Sequence, residues 1–338
     1  MAAKFKSIVR YTVTIAITFV LLWLSLRGLD LQGENKMDFL WGAWQKSDKF
    51  YLWLMAAFAV VSHILRAMRW KMLLEPTGQQ VGLGNSFLSL MTGYLVNLAI
   101  PRGGEVSRCY TLYQLEKTPV QLSFGTVVTE RLVDVLCLLV LIATSFYFEW
   151  EKLKTFINTL DFSSGKTMAV PVAAWGALAA SVIFLVAVYF LRKNEKVIKI
   201  IRGFTQGMLS IFQLENKFLF AFYSIAIWGL YFLMSYLVLV AFPETAHLGF
   251  SAVVTLFAIG SIAMAAPLPG GTGSYHVLVP LGLTTLYHVP SVDAIAFVFV
   301  FHAWQTLLMI VIGVCSFIIS NLLIKKKAQK AADAANAS

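Results

Sequence analysis

The sequence predicts an all-α polytopic membrane protein: six spanning helices plus two Gly/Pro-broken hairpins, re-entrant or short and double-spanning, arranged as an inverted-topology repeat. Three observations predict it. The 338-residue chain is 59% hydrophobic and only 13% charged, whereas a soluble domain carries about 25% charged residues. So few charges cannot cover a soluble surface of this size. Apolar runs of roughly the 20 residues that cross a bilayer recur along the whole chain. Lys and Arg gather in particular loops, as they do on the cytoplasmic side of membrane proteins. A soluble enzyme, a disordered hub and a disulfide-rich secreted domain are excluded, and the alternating ten-residue segments of a membrane barrel are absent. No polar stretch is long enough to bury a core. The chain therefore reads as a single integral membrane domain over 1–338, with a basic cytoplasmic tail at 324–338.

Seven long apolar runs lie at about 9–27, 50–74, 122–148, 168–191, 217–242, 250–267 and 292–323, and two shorter ones at about 85–100 and 274–289. Lys4, Lys6 and Arg10 precede the first run, which lacks a small-residue cleavage site and reads as an uncleaved helix starting in the cytoplasm. The 28–50 loop mixes Lys36, Lys46 and Lys49 with Asp30, Glu34, Asp38 and Asp48 and lies outside. Arg66, Arg69 and Lys71 bring the second helix back inside, where they read as interfacial anchors beside Trp70. The balanced 149–167 loop is outside. Arg192, Lys193, Lys196, Lys199 and Arg202 oppose only Glu195 and mark the inside, as does the tail from Lys325 to Lys330.

Parity then constrains the short runs. Residues 75–121 must begin and end inside, and 243–291 must begin and end outside. Each is a hairpin, broken at Ile100-Pro101-Arg102-Gly103-Gly104 and at Pro267-Leu268-Pro269-Gly270-Gly271-Thr272-Gly273. The order helix, helix, hairpin, helix repeats with opposite orientation, giving inverted halves of about 1–148 and 168–323. Broken helices at matching positions of inverted halves point to a transporter-type binding site.

The net charge of +10 reflects this topology and an affinity for anionic lipid surfaces; no nucleic-acid partner is expected. Cys109, Cys137 and Cys315 show no CxxC spacing, so neither a disulfide nor a zinc site is implied. No Walker loop, GxSxG, GxGxxG, HExxH or HxxxH pattern occurs. No cofactor or metal is expected, and ATP-driven transport within this chain is disfavoured.

The polar residues of the hairpins are the candidate site. Around the first break stand Asn97, Arg102, Glu105 and Arg108. Glu105 and Arg108 are spaced i,i+3 and can pair, while Arg102 is left to grip a phosphate through its fork of donors or to fix the hairpin at the interface. The next helix carries Glu130, Arg131 and Asp134. Each charge costs about 2.5–3.5 kcal/mol to insert, so all three should face protein or a wet cavity. Glu130 and Asp134 share a face, Arg131 and Asp134 suit a structural pair, and Arg66, Arg102 and Arg108 are the available cations. At the second break the prolines end one helix and Gly270 and Gly271 permit a turn. Thr272 or Ser274 then caps the next helix, whose N-terminus suits an anion. Tyr275 and His276 follow. His302 and Gln305, i,i+3, suit a hydrogen bond between helices.

Leu65-Arg66-Ala67-Met68-Arg69-Trp70, the Arg-x-Gly-Glu-x-x-Arg core from Arg102 to Arg108, Val127-Val128-Thr129-Glu130-Arg131-Leu132-Val133-Asp134 and Pro269-Gly270-Gly271-Thr272-Gly273 occur in that order. Together they resemble the integral-membrane region of lysylphosphatidylglycerol synthases and the flippase-like membrane proteins related to it, over about 10–320. The resemblance implies a bacterial inner-membrane protein that moves, or assists movement of, a phospholipid or lipid-linked headgroup between leaflets. Two departures stand out. Many members carry a Glu shortly after the second Gly-rich turn, where this chain has Tyr275-His276. The synthases also append a soluble aminoacyl-transferase domain, whereas this sequence stops at Ser338 just past its last helix, so no aminoacylation by the chain is expected. An intramembrane lipid-modifying enzyme using Glu130 or Glu105 as base is the alternative, disfavoured without a nucleophile–base pair. A non-transporting partner of a separate lipid synthase is a third.

Overall fold

The computed structural model describes residues 35–100, 102–159, 195–265, 268 and 271–336. The expected first and fourth spans, the N-terminal basic residues, Pro101, Pro267, Pro269 and Gly270 lie outside the described residues. The described elements are all helical: α1 (Lys36–Lys46), α2 (Lys49–Leu74), α3 (Leu83–Ala99), α4 (Gly104–Glu116), α5 (Val120–Thr159), α6 (Glu195–Leu209), α7 (Lys217–Ala241), α8 (Phe250–Ala265), α9 (Ser274–Tyr287) and α10 (Ser291–Asn336). Short 3-10 turns follow α2 at Glu75–Thr77 and α6 at Ser210–Gln213.

The helices start where polar caps satisfy their free N–H groups. Asn35 Oδ1 accepts from the Met37 N–H at 2.9 Å, and Asp48 Oδ1 from the Phe50 N–H at 2.8 Å. α2, α5, α7 and α10 are long and apolar enough to cross a membrane. Their outer faces carry exposed rows such as Leu132, Leu136 and Leu139 on α5 and Leu307, Val311 and Ile318 on α10. Such continuous apolar surface is unfavourable in water and ordinary against lipid tails.

α2 and α7 lie antiparallel. The Asp48 N–H donates to Ala241 O at 2.7 Å at one end, and Arg69 reaches Ser224 nearer the other. α3 and α4 form a tight antiparallel pair. The Gly104 N–H donates to Asn97 Oδ1 at 2.7 Å beside the break, while Asn85 donates to Glu116 Oε1 at the open end. The pair can approach closely because Gly104 has no side chain: a Cβ there would fall 2.1 Å from Gly93 O. α8 and α9 pair in the same way, with Ser274 Oγ donating to Ala263 O at 2.7 Å next to their break.

The contacts of the two halves correspond. α3 packs on α2 as α8 packs on α7, α4 packs on α5 as α9 packs on α10, and α3 leans on α10 as α8 leans on α5. The loops collect at two ends. One end holds the 3-10 turns, α6 and the α4 terminus, where Lys327 lies 3.5 Å from Glu116; Lys71, Lys117, Lys199, Arg202 and Lys325 fall near these segments. The other holds α1, Asp48, Glu244 and Asp293, together with Glu149, where α5 loses helical geometry at φ −132°.

Candidate functional site

Two carboxylates one helical turn apart on α5 meet two guanidinium groups one turn apart on α2. Arg66 Nη2 donates to Glu130 Oε1 at 2.7 Å and to Asp134 Oδ2 at 2.9 Å. Arg69 Nη2 donates to Asp134 Oδ1 at 2.7 Å and lies 3.5 Å from Glu130 Oε1. A third cation comes from the first hairpin: Arg108 Nη2 donates to Glu130 Oε2 at 2.9 Å. Both oxygens of Glu130 are therefore engaged, as full burial of a carboxylate demands.

The shell around these charges is polar and aromatic. Arg66 Nη1 donates to the Tyr231 hydroxyl at 2.7 Å and Arg69 Nη1 to Ser224 Oγ at 3.3 Å, both on α7. The Arg108 guanidinium sits 4.6 Å from the Trp70 ring centre, a cation–π contact. The indole N–H of Trp70 in turn donates to Thr126 Oγ1 at 2.9 Å. At the rim, Arg131 Nη2 stands 3.7 Å from Glu105 Oε1 and Arg131 Nη1 3.5 Å from Asp134 Oδ2. Arg131 is 39% exposed, against 6%, 0% and 2% for Arg66, Arg69 and Arg108.

The charges do not balance. Among the described residues inside the rim, three guanidinium groups, Arg66, Arg69 and Arg108, face two carboxylates, Glu130 and Asp134, leaving one positive charge in excess. Several buried donors also lack a protein partner among the described residues: Arg108 Nε and Nη1, Arg66 Nε, Arg69 Nε and the Tyr94 hydroxyl. A buried ion-pair network contributes little net stability over apolar packing, so its presence in a membrane calls for another reason.

The second break carries no charge. Gly271 has φ +72°, and a Cβ there would fall 2.1 Å from Met264 Sδ, so only glycine fits. Gly273 precedes α9 as its N-cap, and its N–H donates to His276 Nδ1 at 3.4 Å. Neither Thr272 nor Ser274 caps it, contrary to the sequence reading, because the Ser274 hydroxyl instead donates back to Ala263 O and Gly271 O. The Tyr275 ring stacks on His302 at 5.6 Å, and His276 stands edge-on to His302 at 4.7 Å and to Phe299 at 4.4 Å.

Both hairpins contact α10. Tyr275 contacts His302, and further down α10 Gly313 lies against Leu95 of α3. Eleven residues at about 100° each return to nearly the same face of a helix, so both contacts lie on one stripe. α3 runs antiparallel to α10, since its start at Asn85 shares Glu116 with Lys327. Continuing α3 past Leu95 at about 1.5 Å per residue carries the first turn to about the level of Leu307. Both hairpins therefore pack on one face of α10.

A model of the family described as the lysylphosphatidylglycerol synthase TM region matches residues 11–313. The chain belongs to this family. It is also 33% identical over 87 residues to UPF0104 membrane protein MJ1595 of Methanocaldococcus jannaschii, a stretch that covers 25% of this chain and 26% of that relative. The match spans about a quarter of the relative's length. Family membership and the apolar helices make this a multi-pass membrane protein.

Within this member of the lysylphosphatidylglycerol synthase TM family, the sequence-derived residues divide into groups. Arg108, Glu130, Arg131, Asp134 and Glu105 come together. Glu105, however, pairs with Arg131 rather than Arg108, because Glu130 on α5 draws the Arg108 guanidinium inward. Asn97 acts on the hairpin itself through Gly104. Arg102 sits exposed at the turn with φ +60°, a conformation disfavoured for a side-chain-bearing residue. Gly271 and Thr272 belong to the second turn, and Tyr275 and His276 to the start of α9; Gly270 lies outside the described residues. Arg69, read from sequence as an interfacial anchor, and Arg66, read both as an anchor and as an available partner for the α5 carboxylates, are buried at the heart of the cluster. The signal that finds them is the match between their i,i+3 spacing and the i,i+4 spacing of Glu130 and Asp134.

Proposed function

We propose that this protein carries phospholipids, or lipid-linked headgroups, between the leaflets of a bacterial inner membrane, with the Arg66–Arg69–Arg108 cluster holding the lipid phosphate. The observation that carries the reading is the uncompensated positive charge of that buried cluster together with the unpartnered Arg108 Nε and Nη1. A phosphodiester brings one negative charge and acceptor oxygens that suit a guanidinium fork. It neutralises the cluster where water does not reach.

The paired hairpins are then re-entrant, and the matched contacts of the halves reflect an inverted-topology repeat. The end rich in Lys and Arg is cytoplasmic, including the Lys325–Lys330 segment of α10. Irregular backbone at membrane depth must be covered by protein or line a wet cavity, and a space between the two hairpins on α10 meets that need. The protein acts as a carrier rather than as an enzyme. Work beside a separate lipid synthase that supplies the cargo fits this reading.

The test is reconstitution into phosphatidylglycerol and phosphatidylethanolamine vesicles with acyl-chain fluorescent lipid and dithionite quenching. Wild-type protein exposes inner-leaflet probe, and Arg108→Gln abolishes this while eluting as folded protein. Movement equal in wild type and Arg108→Gln removes the phosphate role; a quench no greater than in protein-free vesicles removes the transport reading.

A further inference from the structure

α6 carries a second basic surface, away from the arginine cluster. Lys199, Arg202 and Gln206 are spaced three and four apart and share one face of this helix. No Asp or Glu occurs from Lys196 to Leu214, nor from Lys117 to Thr129 around the start of α5. Where α6 crosses α5 the backbones nearly touch. A Cβ on Gly207 would fall 2.1 Å from Leu122 O, and one on Gly125 would fall 2.1 Å from Phe204 O. The Thr129 hydroxyl fastens the crossing by donating to Met208 O at 2.7 Å. Beside it, an open groove of about 470 Å³ runs between the start of α5 and the basic face of α6. Lys199, Arg202 and Gln206 line one side, and Gln121 and Leu122 the other. Gly203 lets the Gln121 side chain lie against α6, since a Cβ there would stand 2.8 Å from Gln121 Cγ. Of the lining residues only Glu195 is acidic, and among the described residues neither Lys199 nor Arg202 has an ion-pair partner.

We propose that this groove binds the phosphate of an anionic phospholipid of the cytoplasmic leaflet, a resident lipid distinct from the cargo. The proposal uses the cytoplasmic placement of the basic end given above and does not depend on transport. Lys199 and Arg202 supply charge complementary to a phosphodiester, and the Gln121 and Gln206 amides supply further donors. A zwitterionic headgroup would bring an ammonium group up to the same two cations, which repel it. Apolar surface selects a lipid over a soluble anion. Ile198, which lines the groove, is exposed, as are Ile200 and Leu209 on the same helix and Phe212 in the turn that follows it. A basic helix with exposed apolar side chains lies in the headgroup layer. The chains of a lipid whose phosphate sits between Lys199 and Arg202 then run over Ile198. Glu130 stands eight residues beyond Leu122 on α5, about 12 Å along its axis, so this phosphate is not the one proposed for the arginine cluster.

The experiment titrates full-length protein in a non-ionic detergent with phosphatidylglycerol, phosphatidylcholine or inorganic phosphate and counts bound lipid by native mass spectrometry. Phosphatidylglycerol is expected to bind more tightly than phosphatidylcholine. The double variant Lys199→Gln with Arg202→Gln should weaken one phosphatidylglycerol binding step by about 30-fold, the effect of two basic side chains at a lipid surface. Lys325→Gln with Lys326→Gln, which removes the same charge from the same end, should leave that step unchanged. Phosphatidylglycerol in the arginine cluster is a separate step, lost in Arg108→Gln and kept in the groove variant. Equal weakening by the two double variants means diffuse surface charge and overturns the groove site, as does no weakening by the groove variant. Phosphatidylcholine binding as tightly as phosphatidylglycerol, or inorganic phosphate displacing the lipid at equal concentration, overturns the anionic phospholipid as occupant. Absence of the Arg108-dependent step alone counts against the carrier reading and leaves the groove intact. Lys199→Cys in a cysteine-free background should react with an impermeant maleimide from the cytoplasm; reaction from the other side only overturns the leaflet assignment.

Discussion

Arg66 and Glu130, 64 positions apart in sequence, are joined at 2.7 Å in a site where Glu130 is fully enclosed. This bond ties α2 to α5 and stands at the centre of a cluster to which the first hairpin adds Arg108. Removing one member of such a buried pair leaves the other charge without compensation.

Glu130→Gln should therefore be costly, by about 3–5 kcal/mol if the guanidinium groups remain buried. Denaturation in detergent should show it, and the double variant Glu130→Gln with Arg66→Gln should recover part of the loss. Strict additivity of the two losses would mean that Arg66 and Glu130 are not coupled.

Gly104→Ala pushes a methyl group into Gly93 O. Separating α3 from α4 should cost about 1–3 kcal/mol and lower the yield of monodisperse protein. Gly84→Ala, where nothing lies within 4 Å of the added atom, should be neutral or mildly stabilising. Identical behaviour of the two variants would contradict the close hairpin.

Arg102 holds a left-handed backbone at φ +60°. Arg102→Gly should fold at least as well as wild type, and Arg102→Ala should be less stable than Arg102→Gly by about 1 kcal/mol. Comparing both in the transport assay separates the guanidinium from the turn, since each removes the charge and one preserves the conformation.

With both hairpins on one face of α10, the proposed carrier site predicts proximity between their turns. Cysteines replacing Arg102 and Thr272 in a cysteine-free background should be joined by a short bifunctional maleimide. Cysteines at Asp38 and Lys327 should react from opposite sides of the membrane, Lys327 from the cytoplasm. Labelling of both positions from one side would refute the two-ended arrangement.

The long membrane-crossing helices were legible in the sequence because hydrocarbon thickness imposes run lengths. The breaks at Arg102 and Gly271 were legible because Pro and Gly punctuate the apolar runs. The charges on α5 were legible because a carboxylate in an apolar helix requires a partner. The identity of the partners was less so. Arg66 and Arg69 close an apolar run beside a Trp, and local sequence is the same whether that last turn lies among headgroups or under another helix. Packing against α7 through Tyr231 and Ser224 decides it. Likewise Glu105 and Arg108 had the spacing of a local pair, but spacing says nothing of a stronger competitor arriving from α5. The roles of Ser274 and His302 depend on which atoms the second turn brings near, and His302 joins Tyr275 across a loop that the sequence alone does not fold.

The mismatch between a charged turn in one half and a neutral one in the other has a thermodynamic consequence. A carrier with no coupled energy source cannot accumulate lipid on one side, however unlike its two entrances are; its forward and reverse cycles must multiply to the same equilibrium constant. The dissimilar turns are instead expressed as unequal half-saturation in the two directions, compensated by unequal maximal rates. Under the proposed carrier role, net direction in the cell is fixed by whichever leaflet produces or consumes the lipid, and the two turns fix only how quickly each leaflet is served.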